Sequence, residues 1–322
     1  VHSEAGFGNL GRAVEGRHFG TRRFLHPMIV TPSLQPVQIF REIWKPLTLL
    51  FVWDVVVTVT YFVLPFHAPE LPVTLFGSAL ALFLGFRSNS AYQRWWEGRS
   101  LWGLMINASR NIARAARNFM PDPEATELKR RIVLRQIAYV NALRCQLRRI
   151  KPDVEVLRML SRGDADASLE RANVANGILD DTGRRIDEAR RKGWIDTIQQ
   201  AQMEAVLVDI ANAQGGMERL KNTPLPYQYR FFPTVFTHMF CILLPIGLVE
   251  TLGVATPLGS TIAGIMFLAV LAIGDDLVDP FANTVHDLPL NAMCRTIEID
   301  LLQSIGDEAP PPITPDKHGI LW

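Results

Sequence analysis

Cysteine is scarce in this chain, and the three that occur lie far apart. Cys145, Cys241 and Cys294 are odd in number and contain no CxxC pair, which argues against a disulfide framework and a cysteine zinc site. They read as buried or lipid-side thiols. Catalytic signatures are missing too. There is no GxSxG, no phosphate-binding P-loop and no GxGxxG, and the seven histidines form neither HExxH nor an i,i+4 metal pair. No catalytic residue, metal site or cofactor is therefore expected. The first 40 residues carry Arg12, Arg17, Arg22 and Arg23 but no compact apolar run, so a cleaved signal peptide is not expected. Strand-like alternation of useful length and a fixed repeat are also absent, which leaves an all-α fold.

The most informative absence is that of positive charge. None of the 33 Lys and Arg residues lies in 46–86 or 231–274; six precede residue 46, 25 lie in 87–230 and two follow 274. The basic-free regions hold four apolar segments: Pro46–Phe66, Leu71–Phe86, Phe231–Leu252 and Leu258–Gly274. Crossing a bilayer core takes roughly 17–25 helical residues. The first and third segments suffice alone; the second and fourth are marginal and become convincing as halves of two hairpins, joined by His67–Glu70 and Gly253–Pro257. A soluble helical protein is the competing reading, but two long hairpins without a single basic residue argue against it. The basic flanks Arg41, Lys45, Arg87, Arg94 and Arg230 place both termini and the middle of the chain in the cytosol. The expected organisation is an N-terminal cytosolic segment (1–45), a membrane hairpin (46–86), a cytosolic helical domain (87–230), a second hairpin (231–274) and a cytosolic C-terminal helix with a Pro-rich tail (275–322), in a multi-pass inner (plasma) membrane protein.

Between the hairpins the chain reads as amphipathic helix: Ser90–Phe119, Thr126–Ile150, a turn or two within Lys151–Gly163, Ser168–Arg191 and Trp194–Lys221. Its many Arg are interspersed with Asp and Glu, so nucleic acid is not an expected partner. Asp275-Asp276 and Asp279 at the end of the last segment read as a solvated helix end, with cation binding the less favoured alternative. Asp54 and Glu250 are the carboxylates within the apolar segments, and His238 reads as a packed or interfacial group rather than a proton relay.

The second apolar segment has a pattern of its own. Gly77, Ala81 and Gly85 recur every four residues, a small-residue stripe that lets another helix approach closely. Ser78, Leu82 and Phe86 run beside it on an adjacent face. One tight face and one apolar, charge-free face suit the lining of a narrow pore on a symmetry axis between subunits. An ordinary membrane-buried packing face has the same pattern, and periodicity alone leaves both open.

The run Phe83-Leu84-Gly85-Phe86-Arg87-Ser88-Asn89-Ser90-Ala91-Tyr92-Gln93-Arg94-Trp95-Trp96-Glu97 resembles the second-helix signature of the bestrophin channel family, especially its bacterial branch. Asn222-Thr223-Pro224-Leu225-Pro226-Tyr227, Asp279-Pro280-Phe281, Asp287-Leu288-Pro289-Leu290-Asn291 and Glu298-Ile299-Asp300 resemble the same family, over roughly residues 20–305. The resemblance implies a homopentamer in the lipid bilayer with one axial pore for monovalent ions. It implies a neck at Ser78, Leu82 and Phe86, with Gly77, Ala81 and Gly85 packing in the pore, and a cytosolic aperture at Ile198. Animal members carry a dense acidic run after the Pro-Phe motif that clasps calcium. Here Ala282-Asn283-Thr284-Val285-His286-Asp287 offers one carboxylate, so calcium activation is not expected. Ser78 and Leu82 also stand where animal members have bulkier groups. The bacterial likeness leads to an expected preference for monovalent cations. The alternatives are an anion (chloride-type) channel of the same fold and a membrane carrier or receptor with a ligand-sensing cytosolic domain.

Overall fold

A computed structural model describes residues 36–64, 69–153, 156–284, 286–316 and 319–321. The four early arginines, the first half of the His67–Glu70 connector, Val285 and Trp322 lie outside them. Among the described residues every regular element is helical: α1 (Pro36–Val63), α2 (Val73–Phe119), α3 (Thr126–Leu147), α4 (Arg162–Leu169), α5 (Val174–Arg191), α6 (Thr197–Asn222), α7 (Tyr227–Leu252), a single 3-10 turn at Gly253–Ala255, α8 (Thr256–Asp276) and α9 (Leu290–Ser304).

Two regions are long and apolar enough to cross a membrane: Phe40–Val63, and Tyr227–Asp276, which folds back on itself at the Gly253–Ala255 turn. Gly253 takes a φ of +54° there, a conformation that favours glycine. The apolar part of α2, Val73–Phe86, is shorter and gives about 20 Å of helix against a bilayer core of about 30 Å. In this apolar layer α7 and α8 lie between the other two helices. Ile43, Leu47 and Leu50 of α1 close on Cys241 and Leu268. On the other side, Leu80 and Leu84 of α2 close on Phe240, Leu244 and Leu271. Although α1 and α2 follow each other in sequence, each packs on α7 and α8, and among the described residues they hardly touch one another. Asp54 fastens the α1 side. It is 1% exposed, and its carboxylate accepts hydrogen bonds from Ser260 Oγ (3.0 Å) and Thr261 Oγ1 (3.3 Å) of α8.

The body is a helical bundle around Trp102, Met105, Ile132, Ile137, Met203 and Met217. α6 runs antiparallel along α2, as the Arg219–Glu97 ion pair and the contact of Gly216 with Leu101 establish. A Cβ on Gly216 would lie 2.8 Å from Leu101 Cδ2, so a side chain there would require Leu101 to shift. The expected helix Ser168–Arg191 is in fact two. α4 stops at Leu169, and Asn173 caps a new start by accepting the Asn176 N–H at 3.0 Å. Such caps satisfy amides that a first turn otherwise leaves unpaired. Asp196 and Gln199 form a reciprocal capping box at the head of α6. The Pro-rich tail lies along its own chain in part: Arg295 Nη1 donates to Pro311 O at 3.2 Å, and Ile320 and Leu321 are buried.

Candidate functional site: the open face of α2 and its anchoring junction

Because Leu80 and Leu84 turn towards α7 and α8, the helical period puts Ser78, Leu82 and Phe86 on the opposite side of α2. Nothing among the described residues covers that side. Leu82 and Phe86 are each 63% exposed, and Ser78 is exposed with its hydroxyl turned back onto Thr74 O at 2.7 Å. The small-residue stripe divides in two. Gly77 packs within the chain, where an added Cβ would stand 3.2 Å from the Phe240 ring, whereas Ala81 and Gly85 lie open.

Charge along α2 is one-sided. Its 47 residues contain a single carboxylate, Glu97, which is paired with Arg219, against six arginines at 87, 94, 99, 110, 114 and 117. Beyond Phe86 the exposed residues Asn89, Gln93 and Asn107 present side-chain amides. Amides and guanidinium groups donate hydrogen bonds to an anion, and no free carboxylate is present to attract a cation.

The signature residues after Phe86 build the junction between apolar layer and body. Arg87 is 2% exposed; one Nη pairs with Asp275 and the other donates to Leu271 O at 3.2 Å. Arg94 Nη2 donates to Leu220 O (2.6 Å) at the end of α6, and its Nε to Val278 O (3.0 Å). Burial lowers the pKa of this guanidinium from its ordinary value. Trp95 Nε1 donates to His286 O at 3.0 Å. Pro280 and Phe281 wedge against Gly98, where a Cβ would meet Pro280 Cγ at 3.1 Å and Phe281 Cζ at 3.2 Å.

This junction corrects the reading of the three acids as a solvated helix end. Asp275 is held by Arg87, Asp276 lies 3.7 Å from His286 Nε2, and Asp279 pairs with Lys221 at 2.6 Å. Asp287 accepts from Thr284 N (2.8 Å) and Oγ1 (2.9 Å). Burial raises the pKa of the Asp287 carboxyl above the ordinary carboxylate value. Among the described residues no group of three or more acids, histidines or cysteines converges on a possible metal ion.

Ile198 stands at the second position of α6 and is 69% exposed. On the antiparallel register of α6 with α2 it falls beside the far end of α2, about 45 Å from Phe86 by helical rise. Gly98 and Arg94 as anchoring residues were not legible in advance. Their partners are 126 to 190 positions away, and the only signal was that they belong to the resembling run.

This geometry belongs to a class of all-helical membrane channel subunits, with a polar body beneath an apolar layer and an uncovered helix running through both. The family model for the bacterial and fungal bestrophin protein matches residues 27–303, and the chain belongs to the bestrophin family. It is 38% identical over 250 residues to the voltage-dependent anion channel-forming protein YneE of Escherichia coli K12, covering 77% of this chain and 81% of that one. A voltage-dependent anion channel-forming protein of Mesorhizobium japonicum is 36% identical over 244 residues, or 76% of this chain and 77% of that one. The crystal structure of a bacterial bestrophin homolog from Klebsiella pneumoniae superposes with a TM-score of 0.78 at 34% identity, covering 83% of this chain and 99% of that one. As a member of a channel-forming family, the protein is not an enzyme. The expected cation preference is corrected, because these bacterial relatives are named for anion channels. On α2 itself one ion-paired carboxylate stands against six arginines, of which Arg87 and Arg110 are ion-paired in turn.

Proposed function

We propose that this protein is an anion channel in which several copies, five by the family resemblance, surround one pore lined by the open face of α2. The observation that carries this reading is the uncovered stripe from Ser78 to Phe86, free of carboxylates and continued by amides and arginines. Four crossings (α1, the apolar part of α2, α7 and α8) and a cytosolic body give the arrangement, with both termini inside. The short apolar part of α2 fits a helix that faces the pore and its neighbours more than lipid. Ser78, Leu82 and Phe86 form the neck, where an ion sheds part of its hydration shell. Ala81 and Gly85 admit the neighbouring copy, and Gly77 seats α7. Ile198 forms a second constriction at the far end of the body.

The deciding measurement is current through purified protein in planar bilayers under a steep KCl gradient. An anion channel reverses near the chloride equilibrium potential. Reversal near that of potassium overturns the reading, and saturable flux without unitary currents favours a carrier. Replacing Ile198 with alanine should change relative permeability among anions by roughly twofold or more and leave the oligomer intact, since the side chain is exposed within its own chain. Permeability ratios matching the parent's would remove Ile198 from the ion path.

A further inference from the structure

A hollow of about 340 Å³ opens on the body where the end of α3, the segment behind it and the start of α5 meet. Arg149, Lys151 and Arg171 line it, and Ile150, Leu169 and Val174 supply apolar wall. Neither Arg149 nor Lys151 has an ion pair among the described residues, and Arg171 reaches only Asp180, at 3.9 Å. No lining residue is acidic. The N-terminus of the 18-residue α5, one amide of which Asn173 caps, opens on the same hollow at Val174 and adds its partial positive charge.

The backbone at Arg149 gives an independent reason to read this as a built site. α3 ends in a turn in which Arg149 N–H donates to Gln146 O (3.0 Å) and Ile150 N–H to Cys145 O (2.8 Å). This bonding pattern requires a left-handed residue in the position Arg149 occupies, and glycine is the residue that fills it most easily. Arg149 fills it instead, with φ at +55°. The chain thus places a guanidinium in a conformation that disfavours any side chain, at the mouth of a hollow with two further cations. Observed strain of this kind is a pointer to function.

We propose that this hollow binds a ligand carrying a phosphate monoester on an apolar body. The phosphate would be held by Arg149, Lys151 and Arg171, and the body would lie against Ile150, Leu169 and Val174. Three cations and a helix N-terminus suit a dianion better than a single carboxylate. The site is separate from the pore face, and its test does not depend on conduction. A soluble metabolite and a lipid headgroup could each present this chemistry.

The experiment is calorimetric titration of the purified full-length oligomer with phenyl phosphate, and with inorganic phosphate in parallel. The parent should bind phenyl phosphate, with inorganic phosphate weaker by roughly tenfold. Arg149→Gly should weaken phenyl phosphate binding by roughly tenfold or more while raising the temperature of unfolding, which separates lost binding from lost fold. Lys151→Gln should weaken it as well. Undetectable binding by the parent, or unchanged affinity in both variants, overturns the proposal. Equal affinity for the two phosphates overturns the apolar body. Repeating the titration in nanodiscs of neutral lipid, with and without phosphatidic acid, identifies the source. Competition by that lipid assigns the site to a headgroup, and its absence to a soluble phosphate.

Discussion

Truncating Phe86 or Leu82 to alanine is expected to raise unitary conductance by roughly twofold or more and to loosen discrimination among anions. Both side chains stand free on the protomer, 63% exposed, and neither holds an element of the fold in place. Exposed substitutions of this kind usually change stability by no more than about 0.5 kcal/mol. An altered current would therefore report on the ion path and not on a damaged protein. The proposed neck works by size and by dryness: a ring of apolar groups strips water from an ion without offering ligands in return. Removing the largest of those groups widens the ring and lets more water stay with the ion. The effect should be larger for Phe86 than for Leu82 and small for Ser78→Ala, whose hydroxyl is already engaged with Thr74 O. Wild-type currents in both the Phe86 and Leu82 variants would move the constriction elsewhere.

Asp275→Ala is expected to destabilise the fold by about 3 kcal/mol. The energetic logic lies with the partner. Arg87 is almost wholly buried between α2 and α8, one Nη is occupied by Leu271 O, and its Nε has no partner among the described residues. Removing the carboxylate leaves a buried guanidinium without its counter-charge, which costs more than the pair itself contributes. Arg230 is only 3.8 Å from the same carboxylate and loses a weaker contact, on an exposed side chain. Exchanging the pair for apolar groups, Arg87→Met with Asp275→Ala, should recover at least half of the loss. Thermal unfolding in detergent of the two single variants and the double variant closes the cycle. Equal losses in Asp275→Ala and the double variant would show that packing around Gly274, where a Cβ would approach Arg87 Nη1 at 3.3 Å, outweighs the charge pair.

Much of this architecture was readable from the amino acids. The absence of Lys and Arg marked the regions that became α1, the first part of α2, α7 and α8, with bounds that moved by a few residues except at the start of α1. There the helix begins at Pro36 and runs through Pro46, because a proline within an otherwise apolar helix removes one hydrogen bond without stopping the chain. The spacing of Ser78, Leu82 and Phe86 identified a common face, and that face is open. Periodicity says which residues share a side, but not what lies opposite. For that reason the separation of α1 from α2, the partners of Asp54 on α8 and the burial of Arg87 were all out of reach. Each depends on contacts roughly 180 to 210 positions away along the chain. The sign of the ion was misread for a different reason. The expectation rested on likeness, and the α2 inventory of six arginines against one acid does not tell which of them are spent on ion pairs, as Arg87 and Arg110 are.

The unbroken length of α2 has a mechanical consequence. A single helix of 47 residues is a strut about 70 Å long, with no joint where the apolar layer meets the body. Tilting such a strut by one degree carries its tip through roughly 1 Å, comparable to the margin between a hydrated and a stripped ion. Leverage, rather than a local flap, is then the cheapest way for events deep in the body to alter the width of the proposed neck.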